Sequence, residues 1–207
     1  MRTRIKICGL TREQDVDAAV RAGADAIGFV FYEKSPRYVT VERARALAQR
    51  VPPFVTIVGL FVNASPELIE QAVSEVPLGL LQFHGDEQEA DCARYSFPYI
   101  RAARMREGFD LLEFTTRFAS AKAILLDAFV EGYGGGGQAF DWTMIPQNLP
   151  VPLILSGGLH ADNVAAGIQA VQPWAVDVSS GVEESKGIKD AKKIARFVRA
   201  VMQSEQG

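Results

Sequence analysis

Residues 3–31 of the chain read TRIKICGLTREQDVDAAVRAGADAIGFVF, and this stretch contains the unit that decides the fold. The apolar runs 3–7 and 24–31 predict two strands. Between them, apolar residues recur over residues 16–23 at helical spacing. A strand, a helix and a second strand in this order predict two parallel strands that are joined by a crossover helix.

The same alternation continues over the remainder of the chain. Eight apolar runs predict strands, at residues 3–7, 24–31, 54–61, 78–83, 99–102, 123–126, 152–155 and 175–178. Several of them are rich in Ile, Val, Leu and Phe without regular alternation, which is typical of parallel strands covered on both faces. Helical spacing recurs over residues 41–51, 68–76 and 191–202, whereas after the sixth run it covers only residues 141–145, before Pro146.

Three helix starts are predicted from capping patterns. Thr11 with Gln14 resembles a capping box, Ser65 precedes Pro66 as a cap before a first-turn proline, and Asp86 precedes acidic first-turn residues. Each pattern follows a predicted strand, as a repeated strand–helix unit requires.

Eight strand–helix units fit either an open, doubly wound sheet or a closed barrel. The chain has 207 residues, close to the compact limit of roughly 200 residues for a barrel of eight units. No linker or charge block divides it, so we expect a single α/β domain over residues 1–207, a (β/α)8 barrel of eight parallel strands. The glycine run 134–137 follows a predicted strand and is interpreted as a mobile loop.

Composition narrows the class of function. The net charge is −3, which disfavours non-specific nucleic-acid binding, although backbone amides can still bind an anionic substrate. No apolar run reaches the ~18 residues of a membrane span and no signal peptide is recognised, so we expect a cytoplasmic protein. The two cysteines, Cys8 and Cys92, lack metal-ligand spacing and are interpreted as reduced thiols.

Barrel enzymes place their active sites at the C-terminal ends of the strands, so the polar residues that follow each predicted strand are the candidates. In strand order they are Cys8; Arg37; Asn63; His84; Arg101 and Arg104; Asp127; Ser156, Gly157 and Gly158; and Asp177, Ser179, Ser180 and Gly181. An acid, a thiol, several cations and two turns of small residues are therefore predicted to meet at one rim of the barrel.

The two turns of small residues are candidates for phosphate binding. Gly157-Gly158 and Ser179-Ser180-Gly181 follow the seventh and eighth strands, where barrels commonly bind phosphate through backbone N–H groups. Tight turns also need Gly and Ser for conformational reasons alone, but two such turns at these two strands favour a phosphate site.

Cys8 and Asp127 are the candidates for proton transfer. A lone cysteine at a strand end is often a small buried hydrophobe, but Cys8 lies on the predicted catalytic rim near Lys6. Asp127 directly follows an apolar strand, where a carboxylate is costly unless it is paired or used, so a salt bridge or a cap is the alternative to a function. His84 could be a ligand, a base or a core histidine, and Arg37 either a surface charge or an anion clamp.

Short motifs follow one another in a fixed order along nearly the whole chain. They are KICGLT at 6–11, GFVF at 28–31, SPRYV at 35–39, VGLFVN at 58–63, LQFHGDE at 81–87, LDA at 126–128, FDW at 140–142, LSGGL at 155–159 and DVSSGVE at 177–183. Any one of these motifs is weak evidence, but the ordered series resembles the phosphoribosylanthranilate isomerases of tryptophan biosynthesis.

The resemblance implies a (β/α)8 barrel that converts N-(5-phosphoribosyl)anthranilate to 1-(2-carboxyphenylamino)-1-deoxyribulose 5-phosphate, an Amadori rearrangement, without a cofactor or a metal. It implies that Asp127 is the general acid that opens the furanose ring, and that Cys8 is the general base that removes the proton from C2. It also implies that Arg37 binds the anthranilate carboxylate or the nearby sugar and that His84 has a supporting role near the substrate. The phosphate is expected on Gly157, Gly158, Ser180 and Gly181.

Three further expectations concern the working of such a site. Lys6 or the partial charges of the rim are expected to lower the pKa of the Cys8 thiol. The site of Asp127 is expected to be partly desolvated, because Asp127 must carry a proton to act as an acid. Gly136 stands where the family usually has a threonine, which predicts a loop that closes less firmly on the substrate.

Two other functions remain open. A histidine-pathway isomerase, or an enzyme of dual specificity, would be expected to use carboxylates at the first and sixth strands, and Cys8 disfavours this. A catalytically silent barrel that binds a phosphosugar is disfavoured by the presence of both Cys8 and Asp127. The expected partner is a small phosphorylated substrate, and the chain is expected to be a monomer or a homodimer.

Overall fold

The computed structural model describes residues 2–128, 140–146 and 149–204. Eight parallel strands close into a barrel in which each strand pairs with the next and the eighth pairs with the first. The strands are β1 (Arg4–Cys8), β2 (Ala26–Val30), β3 (Thr56–Phe61), β4 (Leu80–Phe83), β5 (Tyr99–Met105), β6 (Ala123–Ala128), β7 (Leu153–Leu155) and β8 (Ala175–Val178). The prediction of a closed barrel rather than an open sheet is confirmed, and each predicted strand corresponds to an observed one.

Seven α-helices accompany the strands. They are α1 (Glu13–Ala22), α2 (Val41–Ala48), α3 (Pro66–Glu75), α4 (Glu89–Ala93), α5 (Leu111–Arg117), α6 (Val164–Val171) and α7 (Ala191–Ser204), all within the described ranges. The helix expected over residues 141–145 is instead a 3₁₀ turn, Trp142–Met144, in which the Asp141 side chain accepts from the Thr143 N–H. The glycine run 134–137, with Gly136, lies outside the described residues.

The helix starts differ in how well the sequence predicted them. Ser65 caps α3 as predicted, with its side chain accepting from the Leu68 N–H at 3.3 Å. The prediction for Thr11 is wrong, because its hydroxyl donates to the Gly187 carbonyl at 2.8 Å rather than capping α1. A contact distant in sequence thus takes the place of the local cap. The start of α4 lies after Asp86 as expected, although Gln88 is the cap residue.

The alternation of side chains along each strand decides which residues reach the site. In β1, Ile5 and Ile7 pack outward into the main core between the strands and the helices. Cys8 belongs instead to a small cluster inside the barrel, with Val30, Leu60 and Val62. Successive side chains of a strand point to opposite faces, so polar residues at the inner positions are collected in the interior.

A short hairpin after β8 was not predicted from the sequence. It consists of β9 (Glu183–Ser185) and β10 (Ile188–Lys189), and a 3₁₀ turn, Ser180–Val182, leads into it. Gly187, at the turn of the hairpin, has a φ of +81°, and a Cβ there would lie 2.4 Å from the Pro36 carbonyl oxygen. The hairpin therefore packs tightly against the loop that follows β2. In the described part of the chain, no helix is long and apolar enough to cross a membrane.

Candidate active site

A cavity opens at the C-terminal ends of the strands. Seven of the eight residues predicted for the site line it: Cys8, Arg37, His84, Asp127, Gly157, Gly158 and Ser180. The eighth, Gly181, directly follows Ser180. Three other rim candidates, Ser156, Asp177 and Ser179, also line it. Arg101 instead serves the scaffold, since its buried guanidinium donates to the Phe83 carbonyl at 2.9 Å and the Gly85 carbonyl at 2.8 Å.

Cys8 is the last residue of β1 and is buried at the wall of the cavity. The neighbouring strand can approach it only because β2 has a glycine there, since a Cβ on Gly28 would lie 2.8 Å from the Cys8 sulfur. Burial raises the pKa of the Cys8 thiol, and the nearby Lys6 ammonium opposes this effect. Lys6 therefore acts in the predicted direction, but the expectation of a lowered pKa is wrong, because burial outweighs the ammonium.

Lys6 is charged although it is buried, and Asp177 is the reason. Their side chains form an ion pair of 2.7 Å between β1 and β8, and the Ser156 hydroxyl donates to the second Asp177 oxygen at 3.2 Å. Burial is the largest single effect and would lower the pKa of the Lys6 ammonium, but the charges and hydrogen bonds of Asp177 and Cys8 together outweigh it, and the net pKa is raised. A cation therefore stands beside the Cys8 sulfur.

Asp127 is held at the end of β6 by two hydrogen bonds. Its Oδ1 accepts from the Ala128 N–H at 2.9 Å, and its Oδ2 lies 3.1 Å from the Nε2 atom of His84. Asp127 is buried, as expected for a desolvated site. Gly157, in the turn that follows β7, packs against it, since a Cβ at that position would lie 2.9 Å from Oδ1. Among the described residues, this histidine is the side-chain partner of Asp127, and no lysine or arginine pairs with it.

Gln82 is a site residue that sequence reasoning missed. It is fully buried in β4 and lines the cavity, and its amide nitrogen lies 3.2 Å from the Nδ1 atom of His84. When Gln82 donates to Nδ1, the histidine proton is on Nε2 and is donated to Asp127. A polar amide in the middle of the apolar run LQF was the available signal, because such a group needs a partner when buried.

Arg37 lies at the cavity but is bound by a partner that the sequence did not reveal. Its Nε and Nη2 atoms donate to the two carboxylate oxygens of Glu183, at 2.7 and 2.8 Å. Lys189 donates to the same carboxylate at 2.8 Å. Glu183 and Lys189 both lie in the hairpin that was not predicted from the sequence. The hairpin thus fixes the guanidinium plane in a bidentate arrangement and leaves Nη1 as the nitrogen that Glu183 does not engage.

The two turns of small residues meet at the far end of the cavity. Gly157 and Gly158 have φ values of +78° and +64°, the left-handed region in which glycine is least strained. A Cβ on Gly181 would lie 1.9 Å from the Leu159 carbonyl oxygen, so the turn after β8 packs directly on the turn after β7. Among the residues that the structure describes, no cluster of three or more His, Cys, Asp or Glu side chains is arranged to hold a metal ion.

Comparisons with known proteins agree with this geometry. The family model described as N-(5'phosphoribosyl)anthranilate (PRA) isomerase matches residues 5–200. The N-(5'-phosphoribosyl)anthranilate isomerase of Dechloromonas aromatica is 63% identical over 206 residues, covering 100% of this chain and 99% of that protein. The crystal structure of the Thermotoga maritima phosphoribosyl anthranilate isomerase superposes with a TM-score of 0.89 and 41% identity, covering 97% of this chain and 99% of the other.

A further solved structure contains a ligand. It is a phosphoribosyl anthranilate isomerase in complex with reduced 1-(o-carboxyphenylamino)-1-deoxyribulose 5-phosphate, with a TM-score of 0.84 and 39% identity, and it covers 97% of this chain and 99% of the other. The ligand of that protein has a phosphate at one end and an aromatic carboxylate at the other.

Proposed function

The chain belongs to the N-(5'-phosphoribosyl)anthranilate isomerase family, and we propose that its reaction runs between Cys8 as general base and Asp127 as general acid. The enzyme isomerises N-(5'-phosphoribosyl)anthranilate in tryptophan biosynthesis. The observation that carries the proposed mechanism is the shared cavity, into which β1 brings Cys8 and β6 brings Asp127. One sugar can therefore meet a base and an acid at the same time.

The chemistry consists of proton transfers that balance within one substrate. Asp127 gives its proton to the furanose ring oxygen, the bond from that oxygen to C1 breaks, and the anthranilate nitrogen supplies the electron pair that forms a protonated Schiff base. The Cys8 thiolate then removes the proton from C2, and the electrons of that bond neutralise the iminium as an enol-amine. Proton transfer to C1 and from the C2 hydroxyl gives the ketose and restores both groups.

His84 has a supporting role at the acid. After Asp127 has given up its proton, its charge is stabilised by the His84 Nε2–H and the Ala128 N–H, which already lie at hydrogen-bond distance. Gln82 keeps the histidine in the tautomer that can donate. His84 also lines the cavity, so it is proposed to contact the sugar.

Cys8 must be a thiolate to accept the C2 proton, and burial disfavours this charged form. Because burial raises the pKa of the thiol, the thiolate fraction grows as the pH rises through and above neutrality. We therefore expect kcat/KM to rise with pH over this range. The Lys6 ammonium stabilises the thiolate when it forms, and it remains charged because of Asp177.

The two ends of the substrate are assigned by charge and shape. The phosphate is proposed to bind the turns after β7 and β8, at Gly157, Gly158, Ser180 and Gly181, through backbone N–H groups. The anthranilate carboxylate is proposed to bind Arg37, whose guanidinium plane is fixed by Glu183. The ligand of the homologous complex has these same two anionic groups, which supports the assignment.

Several properties of the whole enzyme follow as proposals. Residues 1–207 are proposed to form one catalytic domain, since the family model spans residues 5–200. Neither a cofactor nor a metal is proposed, because every step is a proton transfer that Cys8 and Asp127 can perform. The enzyme is proposed to be cytoplasmic, and to be a monomer or a homodimer, since both monomeric and dimeric forms of the Thermotoga maritima enzyme are known.

A turnover assay with matched variants tests the mechanism. Loss of substrate fluorescence is followed for wild type, Cys8→Ser and Asp127→Asn, and each variant is expected to lose at least about 10²-fold in kcat/KM. Cys92→Ala is the control, because Cys92 is a buried cysteine of α4 outside the cavity. A variant of Cys8 or Asp127 that retains the wild-type rate would remove that residue from its proposed role.

A further inference from the structure

Lys189 is a buried charge that the proposed mechanism leaves without a role. Its side chain is 0% exposed, in the last residue of β10. The ammonium makes three hydrogen bonds, to a Glu183 carboxylate oxygen at 2.8 Å, to the Ser179 carbonyl at 3.0 Å and to the Ser179 hydroxyl at 3.2 Å. An ammonium has three N–H donors, so these contacts use all of them. Lys189 can therefore act on the cavity only through its neighbours and its charge.

The neighbours of Lys189 are in direct contact with two residues of the site. Glu183 binds Arg37 through both carboxylate oxygens, and Lys189 donates to Oε1, one of those two oxygens. On the other side, the Ser179 hydroxyl donates to the Cys8 carbonyl at 3.0 Å. The Lys189 ammonium thus links two residues. Glu183 holds the Arg37 guanidinium, and Ser179 binds the Cys8 main-chain carbonyl.

The charges of this group do not balance. Arg37 and Lys189 are two buried cations around one buried anion, Glu183, whereas Lys6 and Asp177 form a balanced pair. Burial lowers the pKa of the Lys189 ammonium, and the charge of Glu183 opposes this change. An extra buried cation is costly when nothing compensates it. The favourable compensation is an anion in the cavity, either the Cys8 thiolate or an anionic group of the substrate.

We propose that Lys189 is a positioning residue of the active site: it holds Glu183 and Ser179, and through them Arg37 and Cys8, and it supplies the positive charge that favours an anion in the cavity. This inference rests on the proposed function for the roles of Cys8 and Arg37. Both charged residues of this arrangement come from the hairpin after β8, since β9 contributes Glu183 and β10 contributes Lys189.

The charge on Cys8 depends on groups from every element around it. These are Lys6 from β1, Tyr32 and Arg37 from the loop after β2, His84 after β4, Asp127 from β6, Asp177 from β8, and Glu183 and Lys189 from the hairpin. A variant at Lys189 or Glu183 changes the charge of the hairpin alone and leaves the remaining groups in place.

Two variants of opposite charge effect test the proposal. Lys189→Met removes a cation, so thiolate formation at Cys8 is expected to need a pH that is higher by about one unit. At a given pH, this corresponds to an about tenfold smaller thiolate fraction. Glu183→Gln removes the anion and keeps the shape, so the change is expected in the opposite direction. The readout is the rate of Cys8 alkylation by iodoacetamide against pH, followed on the Cys8 peptide by mass spectrometry. This rate does not depend on turnover.

Steady-state kinetics supply the second readout. Both variants loosen the hold on Arg37, so KM is expected to rise in both, although the alkylation profiles move in opposite directions. Lys193→Met is the matched control, since Lys193 lies close by and donates to the Glu183 main-chain carbonyl at 2.7 Å. Its alkylation profile and KM are expected to stay within about two-fold of wild type.

The outcomes separate this inference from the proposed function. Opposite shifts of the two alkylation profiles support the role of Lys189, even if Cys8→Ser retains full turnover and the base assignment fails. Profiles that do not move, or that move in the same direction, overturn it, even if Cys8→Ser is inactive. If Lys189→Met does not fold, Glu183→Gln alone decides through the midpoint of its alkylation profile, which an electrostatic role moves to lower pH, whereas easier access to the thiol raises the rate at every pH and leaves the midpoint in place.

Discussion

Removing the Lys6 ammonium tests how the charged interior of the barrel is stabilised. Lys6→Met keeps the length of the side chain but leaves Asp177 buried without its partner at 2.7 Å. Removing one partner of a buried ion pair typically lowers the free energy of unfolding by about 3–5 kcal/mol. For a domain of this size, 1 kcal/mol corresponds to about 2–4 °C in Tm, so we expect a fall of roughly 6–20 °C.

The double variant Lys6→Met, Asp177→Asn separates the unpaired charge from the lost volume. It removes both charges, so we expect it to recover most of the lost Tm, since an uncharged pair of similar size is often nearly neutral. Thermal unfolding by circular dichroism measures both variants beside Lys122→Met, a control at an exposed lysine. A double variant no more stable than Lys6→Met would refute the reasoning. Both variants are expected to lose turnover, because Cys8 loses the cation beside it.

Three further predictions follow from single contacts. Burial raises the pKa of the Cys92 thiol from 9.0 to about 12. The thiol therefore contributes stability below pH 9.0, and this contribution is lost as the pH rises towards 12. Urea unfolding should give a lower free energy of unfolding at pH 10 than at pH 8, and Cys92→Ala should reduce that difference. Gly181→Ala would put a Cβ 1.9 Å from the Leu159 carbonyl, so we expect KM for the phosphorylated substrate to rise at least about tenfold, with kcat less affected, in steady-state assays. His84→Ala removes a donor to Asp127, so kcat should fall by about tenfold or more, and an unchanged kcat would exclude the supporting role.

The barrel and most of the site could be predicted because they depend on local pattern. The eight apolar runs predicted the eight strands. Because side chains alternate along a strand, the position of a residue in its strand determines whether its side chain points into the barrel or towards the helices. Cys8, Asp127 and the two small-residue turns follow strands directly, so their place at the C-terminal rim needed no knowledge of distant contacts.

The features that were missed depend on contacts distant in sequence. Glu183 and Lys189 stand in strands of three and two residues, too short to show a period. The Thr11 hydroxyl had a plausible local partner and took a distant one, at Gly187. The expected lowering of the Cys8 pKa was wrong for a similar reason, since the sequence shows that Lys6 is near but not how deeply the thiol is buried.

The positions of the buried charges give a physical reason for the proposed roles of Cys8 as base and Asp127 as acid. Lys6 and Lys189 stand on the side of Cys8, where removal of a proton from the thiol must create a negative charge. Asp127 is met by N–H donors from His84 and from the main chain, groups that stabilise a carboxylate once its proton has gone to the ring oxygen. The two sides therefore favour anions that form at different stages: the cations favour a thiolate ready to accept a proton, and the donors favour the carboxylate left after the ring has opened. Two N–H donors favour a charged carboxylate less strongly than two full cations would, so exchanging the two groups would hold the acid more firmly in its charged form before any substrate had bound. The charges therefore support the proposed assignment as well as the residue types do.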